Sequence, residues 1–287
     1  MFGLINFKKI KPVLDCWLFL FLIALCGCCA AVNNDLSVHF IDVGYGDSIL
    51  IDFPDGKNML IDTGTEEKSG KLVEYLASRK LEKIDVVLIT HDHPDHLGGL
   101  SAVVEKYKIG AIITNEDISK NKNYALVLES AKGKDIKFQV LHRGDRIDEF
   151  KSVKIEVLHP DKLRESVNDS SMAIKLKYRS VSFLFAADIG PDICTEIVGI
   201  YGQKLKSDVL KVPWHGKTKS VDFINTIVPK LAIISVGPYK WPAPSQEVLD
   251  DYKKLKIPVL RTDELGTIVV KTDGRSFSFF SQKKAVQ

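Results

Sequence analysis

From Leu36 onward the chain alternates short apolar runs with stretches whose apolar residues recur at helical spacing. Leu36–Val43, Ser48–Phe53 and Asn58–Ile61 read as strands, and Pro54-Asp55-Gly56 supplies the turn of a hairpin. Leu72, Val73, Leu76 and Ala77 then mark one face of a helix. Asp85-Val-Val-Leu-Ile89 reads as a short buried strand, with a helical stripe at Leu97, Leu100, Val103 and Val104 after it. Ile174, Leu176 and Tyr178 alternate with Lys175 and Lys177, as in a half-exposed strand. Strand and helix signals interleave to Phe280 with no separating linker, which predicts one α/β domain over about residues 36–283.

Two of these units echo each other. A strand ending at Asp62 is followed by a helix and a strand ending at His91. Later a strand ending at Asp188 is followed by a helix and a strand ending near His215. The spacings are 29 and 27 residues. Ligands collect at strand ends in open α/β sheets, so these four polar residues are expected to converge.

Composition changes the picture little. Of 287 residues, 45% are apolar and 27% charged, ordinary for a chain with a large core. The net charge of +3 divides into +2 over the first thirty residues and +1 over the rest. A nearly neutral body lacks the global basic field of many nucleic-acid binders, so any grip on phosphate must be local.

The N-terminal segment reads as targeting. Lys8, Lys9 and Lys11 precede the apolar run Cys16–Leu25 and then small residues, the order of a secretory signal. Leu25-Cys26-Gly27-Cys28 resembles a bacterial lipobox, with Cys28 lipidated, residues 1–28 as the signal and 29–35 as a linker. The alternative is an uncleaved anchor, because Cys16–Val32 is uncharged for 17 residues, the lower limit for a spanning helix. Either route predicts an exported body held at the outer face of the cytoplasmic membrane. Four cysteines lie in this segment, which leaves only Cys194 in the body. That excludes a disulfide framework or a cysteine metal cluster there.

The densest chemistry is Thr90-His91-Asp92-His93-Pro94-Asp95-His96-Leu97-Gly98-Gly99. Three imidazoles and two carboxylates packed directly after a buried strand serve no packing need. His91 and His93 can turn to one side of a loop, while Asp95 and His96 open the next helix and address a second point. Imidazole with carboxylate suits zinc, manganese or iron(II), and the lack of thiolates argues against a closed structural zinc site. Two metals about 3.5–4 Å apart would polarise a phosphoryl or carbonyl oxygen and generate hydroxide at neutral pH.

His91-x-His93-x-Asp95-His96 resembles the hallmark of the metallo-β-lactamase superfamily, which implies an α/β fold of the αββα four-layer sandwich type. Phe40–Ser48, Leu60–Gly64, Leu158–Pro160, Asn168–Ser171, Val212–Gly216 and Arg261–Asp263 followed by Gly266 are similar to the hydrolase domain of the ComEC/Rec2 competence branch. The resemblance covers about residues 36–275, without the many membrane helices of a DNA-uptake channel. It implies two divalent metal ions, zinc or manganese. His91 and His93 would hold the first, and Asp95, His96 and His215 the second, with Asp188 bridging. Asp62 would fix a ligand imidazole.

Three departures bear on that expectation. Asn168–Ser171 stands where the superfamily often places a third histidine on the first metal. Trp214-His215-Gly216 replaces the common His-His-Gly. Lys240 and Ala243 stand where the competence branch usually has Asn and His, which bears on the substrate.

Other residues admit plainer readings. His39, His142 and His159 are single and strand-adjacent, and Asp47 lies in a turn where local backbone hydrogen bonding explains it as well as catalysis does. Lys211, Lys217 and Lys219 flank His215 and read either as phosphate contacts or as a solvated lysine face; Lys217 and Lys219 are the candidate substrate-binding pair. Tyr239 and Trp241 read either as a stacking surface for a base or as rim packing. The function expected is a phosphodiesterase or nuclease with DNA or another phosphodiester polymer as partner, in which a protonated Asp95 or water assists the leaving oxygen. A diesterase of teichoic acid or phosphorylcholine esters, or a non-catalytic metal-stabilised binding module, are the alternatives.

Overall fold

Alternation within the strands sorts their side chains onto two faces. In the computed structural model, which describes residues 35–116, 121–240 and 242–283, these strands build two sheets. The first runs β14 (Phe277–Ser281), β13 (Ile268–Thr272), β1 (Leu36–Phe40), β2 (Ile49–Asp52), β3 (Asn58–Ile61), β4 (Lys83–Leu88), β5 (Lys108–Thr114) and β6 (Lys137–Val140). The second runs β12 (Val259–Arg261), β11 (Leu231–Ile234), β10 (Val209–Lys211), β9 (Val181–Phe185), β8 (Ala173–Tyr178) and β7 (Lys154–His159). The targeting segment with Cys28, and Trp241, lie outside the described residues.

Each sheet is part antiparallel and part parallel. Pairing is parallel from β3 through β6 and from β9 through β12. Parallel neighbours need long crossovers, and the predicted helices supply them.

One core lies between the sheets. Ile49 and Ile51 of β2 meet Phe183 and Phe185 of β9 there, while the intervening Leu50 and Leu184 point to the outer faces. Full burial of one such side chain contributes about 1.5–3 kcal/mol. Helices Ser69–Ser78, Leu100–Lys106 and Ala125–Ser130 cover the first outer face through Leu72, Leu76, Leu100, Val103 and Val127. Helices Pro191–Tyr201, Val221–Ile227 and Gln246–Lys254 cover the second through Cys194, Ile197, Phe223 and Tyr252. This is the αββα sandwich that the motifs imply.

Two local expectations shift. The first strand stops at Phe40, because the Asp42 carboxylate accepts the Gly44 N–H at 3.1 Å and turns the chain out of the sheet. The stripe Leu97–Val104 splits into Pro94–Leu97 and Leu100–Lys106 at Gly98-Gly99, the poorest helix formers in the run.

Candidate metal centre

The parallel halves aim their carboxyl ends at one region. Asp62 follows β3, the histidine motif follows β4, Asp188 follows β9 and His215 follows β10. The echoed units therefore supply polar groups from both sheets. Donor atoms of Asp95, His96, Asp188 and His215 all lie within 4.8 Å of one another.

Asp62 organises the side of the centre nearest the first sheet. It is fully buried and takes φ 57°, a left-handed conformation that aspartate tolerates better than most residues. Its Oδ1 accepts the Thr90 N–H at 2.8 Å, and its Oδ2 accepts the Thr90 hydroxyl at 2.8 Å and His96 Nδ1–H at 2.8 Å. Because the Thr90 hydroxyl donates to Asp62, it accepts from His91 Nδ1–H at 3.0 Å. One carboxylate thus sets two imidazoles, leaving Nε2 of each as the free donor. His91 Nε2 faces His93 Nδ1 at 3.2 Å. Burial first, then His96, push the His91 pKa well below 6.5, which keeps it in the neutral form that ligates.

The second sheet completes the set. His215 Nδ1–H donates to the Ser235 carbonyl at 2.9 Å, and its Nε2 lies 3.3 Å from Asp95 Oδ2 and 3.3 Å from Asp188 Oδ2. His96 Nε2 lies 3.4 Å from the same Asp188 oxygen. Trp214 and His215 hold two consecutive left-handed conformations, at φ 48° and 50°. Such a residue costs about 1–2 kcal/mol. Here the turn is tied by Trp214 N–H to the Ala187 carbonyl at 3.0 Å and Lys217 N–H to the Trp214 carbonyl at 2.8 Å. The Asp188 N–H donates to Ser171 Oγ at 3.1 Å, so the Asn168–Ser171 turn braces the Asp188 backbone.

These residues fit metal ions. His96 Nε2, His215 Nε2 and Asp188 Oδ1 are buried without a hydrogen-bond partner. Asp47, Asp62 and Asp188 are buried with Asp95 half-buried beside them, against one buried ammonium, that of Lys211. Buried charge of one sign is sustained by pairing or by metal. Although burial opposes charging His215, Asp188 and Asp95 raise its pKa to about 9, so the centre draws in positive charge.

Four expectations need correction or refinement. Asp95, expected both as a ligand and as a proton donor, has its carboxyl held far below the usual carboxylate range: burial raises its pKa, but His215 and His96 outweigh that. Its geometry is that of a ligand. Lys211 is no solvated lysine, being 1% exposed and ion-paired to Asp47, which is itself buried. Lys211 Nζ also donates to the Ala187 carbonyl at 3.1 Å and stands 3.6 Å from Asp188 Oδ1. Lys219 pairs with Glu247 at the surface at 3.0 Å, whereas Lys217 donates to Tyr45 Oη at 3.0 Å beside the centre.

The remaining histidines and carboxylates of the region have structural partners. His39 sits between Tyr75 and Asp52, and His159 Nε2–H donates to the Asp169 carbonyl at 2.7 Å. Asp161 and Glu196 beside His159 are paired with Arg143 and Arg164. Asp92 accepts from Asn121 and Asn123 and so stays out of the donor set. Sequence reasoning missed Asp47, Thr90 and Lys211 as members of the centre. The available signal was Lys211 itself, one charge inside the apolar run Val209-Leu-Lys-Val212.

Comparison with known proteins agrees with this geometry. The family description "Metallo-beta-lactamase superfamily" matches residues 41–233. ComE operon protein 3 of Bacillus subtilis is 27% identical over 92% of the chain and 36% of its own length. Recombination protein 2 of Haemophilus influenzae is 27% identical over 87% of the chain and 30% of its own length. The chain thus spans about a third of these relatives. Among solved structures, the metallo-β-lactamase fold protein YhfI from Bacillus subtilis superposes with a TM-score of 0.55 at 12% identity, over 80% of this chain and 98% of that one.

Proposed function

The chain belongs to the metallo-β-lactamase superfamily and is ComEC-like, and from that premise we propose that it is a metal-dependent phosphodiesterase acting on nucleic acid. The observation that carries this reading is the convergence of Asp95, His96, Asp188 and His215 with both imidazole Nε2 atoms turned inward. With His91 and His93, these residues would hold two divalent ions, zinc or manganese. Such ions polarise a phosphoryl oxygen and lower the pKa of water to near neutrality. The chain's own residues then do three things. Asp62 and Thr90 fix the tautomers of His91 and His96. Lys211 holds Asp188 and Asp47 in place. Lys217, at the rim, offers an ammonium to a phosphate oxygen.

The same proposal places the protein outside the cytoplasmic membrane, anchored through the N-terminal segment with Cys28 as the lipidated residue. Among the described residues no helix is long and apolar enough to cross a membrane.

The test is metal analysis joined to hydrolysis. Purified protein loaded with zinc or manganese should cleave bis-p-nitrophenyl phosphate and single-stranded DNA, with at least one equivalent of metal that His96→Ala largely loses. Turnover by rigorously metal-free protein would sink the mechanism. Cleavage of glycerophosphate or phosphorylcholine esters but never of DNA would transfer the reading to surface polymers.

A further inference from the structure

A column of aromatic rings leads away from the centre. The Tyr45 ring centroid lies 4.6 Å from that of His215 and 3.9 Å from that of Tyr239, whose ring is only 10° from parallel with it. Tyr45 is 8% exposed, whereas Tyr239 is 49% exposed. The column therefore starts at a donor imidazole and ends at an accessible aromatic ring. From the two centroid distances, Tyr239 lies at most about 8.5 Å from the His215 ring.

The backbone holds this column rigidly. Gly46 takes φ 122°, and a Cβ on it would sit 2.3 Å from the Asp95 carbonyl oxygen. A Cβ on Gly237 would sit 2.4 Å from the Gly44 carbonyl carbon. The Tyr45 turn is thus wedged between the metal-binding helix and the segment leading to Tyr239, and it can be set this tightly only because glycine stands at both contacts. Lys217 adds a third tie, donating to Tyr45 Oη at 3.0 Å with its ammonium 5.3 Å from the ring centroid.

We propose that the Tyr45–Tyr239 stack, edged by Lys217, is a subsite in which a base of the substrate strand stacks on Tyr239. This rests on the nucleic-acid reading above and adds the place where a base is held. Charge favours a base over the other diesters an exported enzyme would meet. Stacked rings could in principle receive the quaternary ammonium of choline by cation–π attraction. Here a further cation would meet ammoniums already at the stack, Lys217 at the Tyr45 hydroxyl, 3.0 Å from Oη, and Lys240 at 5.9 Å from the Tyr239 centroid. Two ammoniums repel a third cation and attract a phosphate. Glycerol and ribitol phosphates carry no ring to set against Tyr239. Every base has a π-face, so such a platform reads chemistry class and not sequence.

The experiment compares a ten-nucleotide oligothymidylate with an abasic strand of the same length. Both are followed by fluorescence anisotropy on the metal-free full chain, and by hydrolysis on the metal-loaded one. The ratio of affinities, base-bearing over abasic, should fall about tenfold in Tyr239→Ala, the loss of one base–aromatic stack. Tyr239→Phe should retain it. A ratio is indifferent to the fraction of folded protein. A ratio that does not move in Tyr239→Ala, or wild-type protein that binds neither strand, overturns the subsite whether or not diesters are cleaved. A ratio that falls while no diester is cleaved under any metal leaves the subsite standing and removes the phosphodiesterase reading.

Discussion

Replacing Lys211 with methionine removes a charge from a place that water does not reach. The Lys211 and Asp47 side chains are 1% and 3% exposed, and the ammonium also serves the Ala187 carbonyl at 3.1 Å and Asp188 at 3.6 Å. Methionine keeps much of the stem but strands the Asp47 carboxylate. Breaking a buried pair from one side costs about 3–5 kcal/mol. The cost is less than the bare attraction would suggest, because the variant no longer has an ammonium to desolvate on folding. With an m-value of about 3 kcal/mol/M, the urea midpoint of metal-free protein should drop by somewhat more than 1 M. The double variant Lys211→Met with Asp47→Leu carries neither charge, and apolar replacement of a whole buried pair is often neutral. It should therefore be more stable than Lys211→Met alone. Costs that simply add, or a single-variant loss below about 1 kcal/mol, would show that Asp47 finds water or another cation, and the argument for an obligatory buried pair would fail.

Two further outcomes test the centre and the targeting segment. Asp62→Asn keeps the shape and tolerates φ 57°, but it removes the charge and an acceptor from Thr90 and His96. Metal affinity, read by competition with a chelating dye, should weaken about 10- to 100-fold, and unchanged affinity would mean that something else orients those imidazoles. Cells fed an alkyne fatty acid should label the wild-type chain and not Cys28→Ala; equal labelling would point to Cys29, and no labelling of either to an uncleaved anchor.

Much of the framework was legible because it is local. The strand Asn58–Ile61 has the bounds read from the sequence, and Leu72 and Leu76 bury the helical face they mark. The histidine motif announces its chemistry through density alone, and the echo of Asp62–His91 in Asp188–His215 anticipated that both units meet. What escaped was pairing across the fold. Asp47 read equally as a turn residue or a catalytic one, and Lys211 as a phosphate contact or a surface lysine, because each was judged by its chain neighbours. Their meaning appears only when β10 lays Lys211 against the loop before β2. The same holds for Lys217, whose partner Tyr45 lies 172 residues away. The proton affinity of Asp95 was illegible for a different reason: it is set by His215 and His96 in space, which no spacing along the chain reveals.

The centre draws its donors from both halves of the sandwich, with Asp95 and His96 after β4 and Asp188 and His215 after β9 and β10. Any cation bound there is therefore a reversible cross-link between two sheets whose strands are far apart in the chain. An unfolded chain cannot assemble that donor set, so binding is linked to folding. Free metal at 100 times its dissociation constant would add about 2.7 kcal/mol to stability, and at 1,000 times about 4.1 kcal/mol. Resistance to proteases would then follow the metal supply of the protein's surroundings. Scarcity would silence it twice, by emptying the site and by loosening the fold around it.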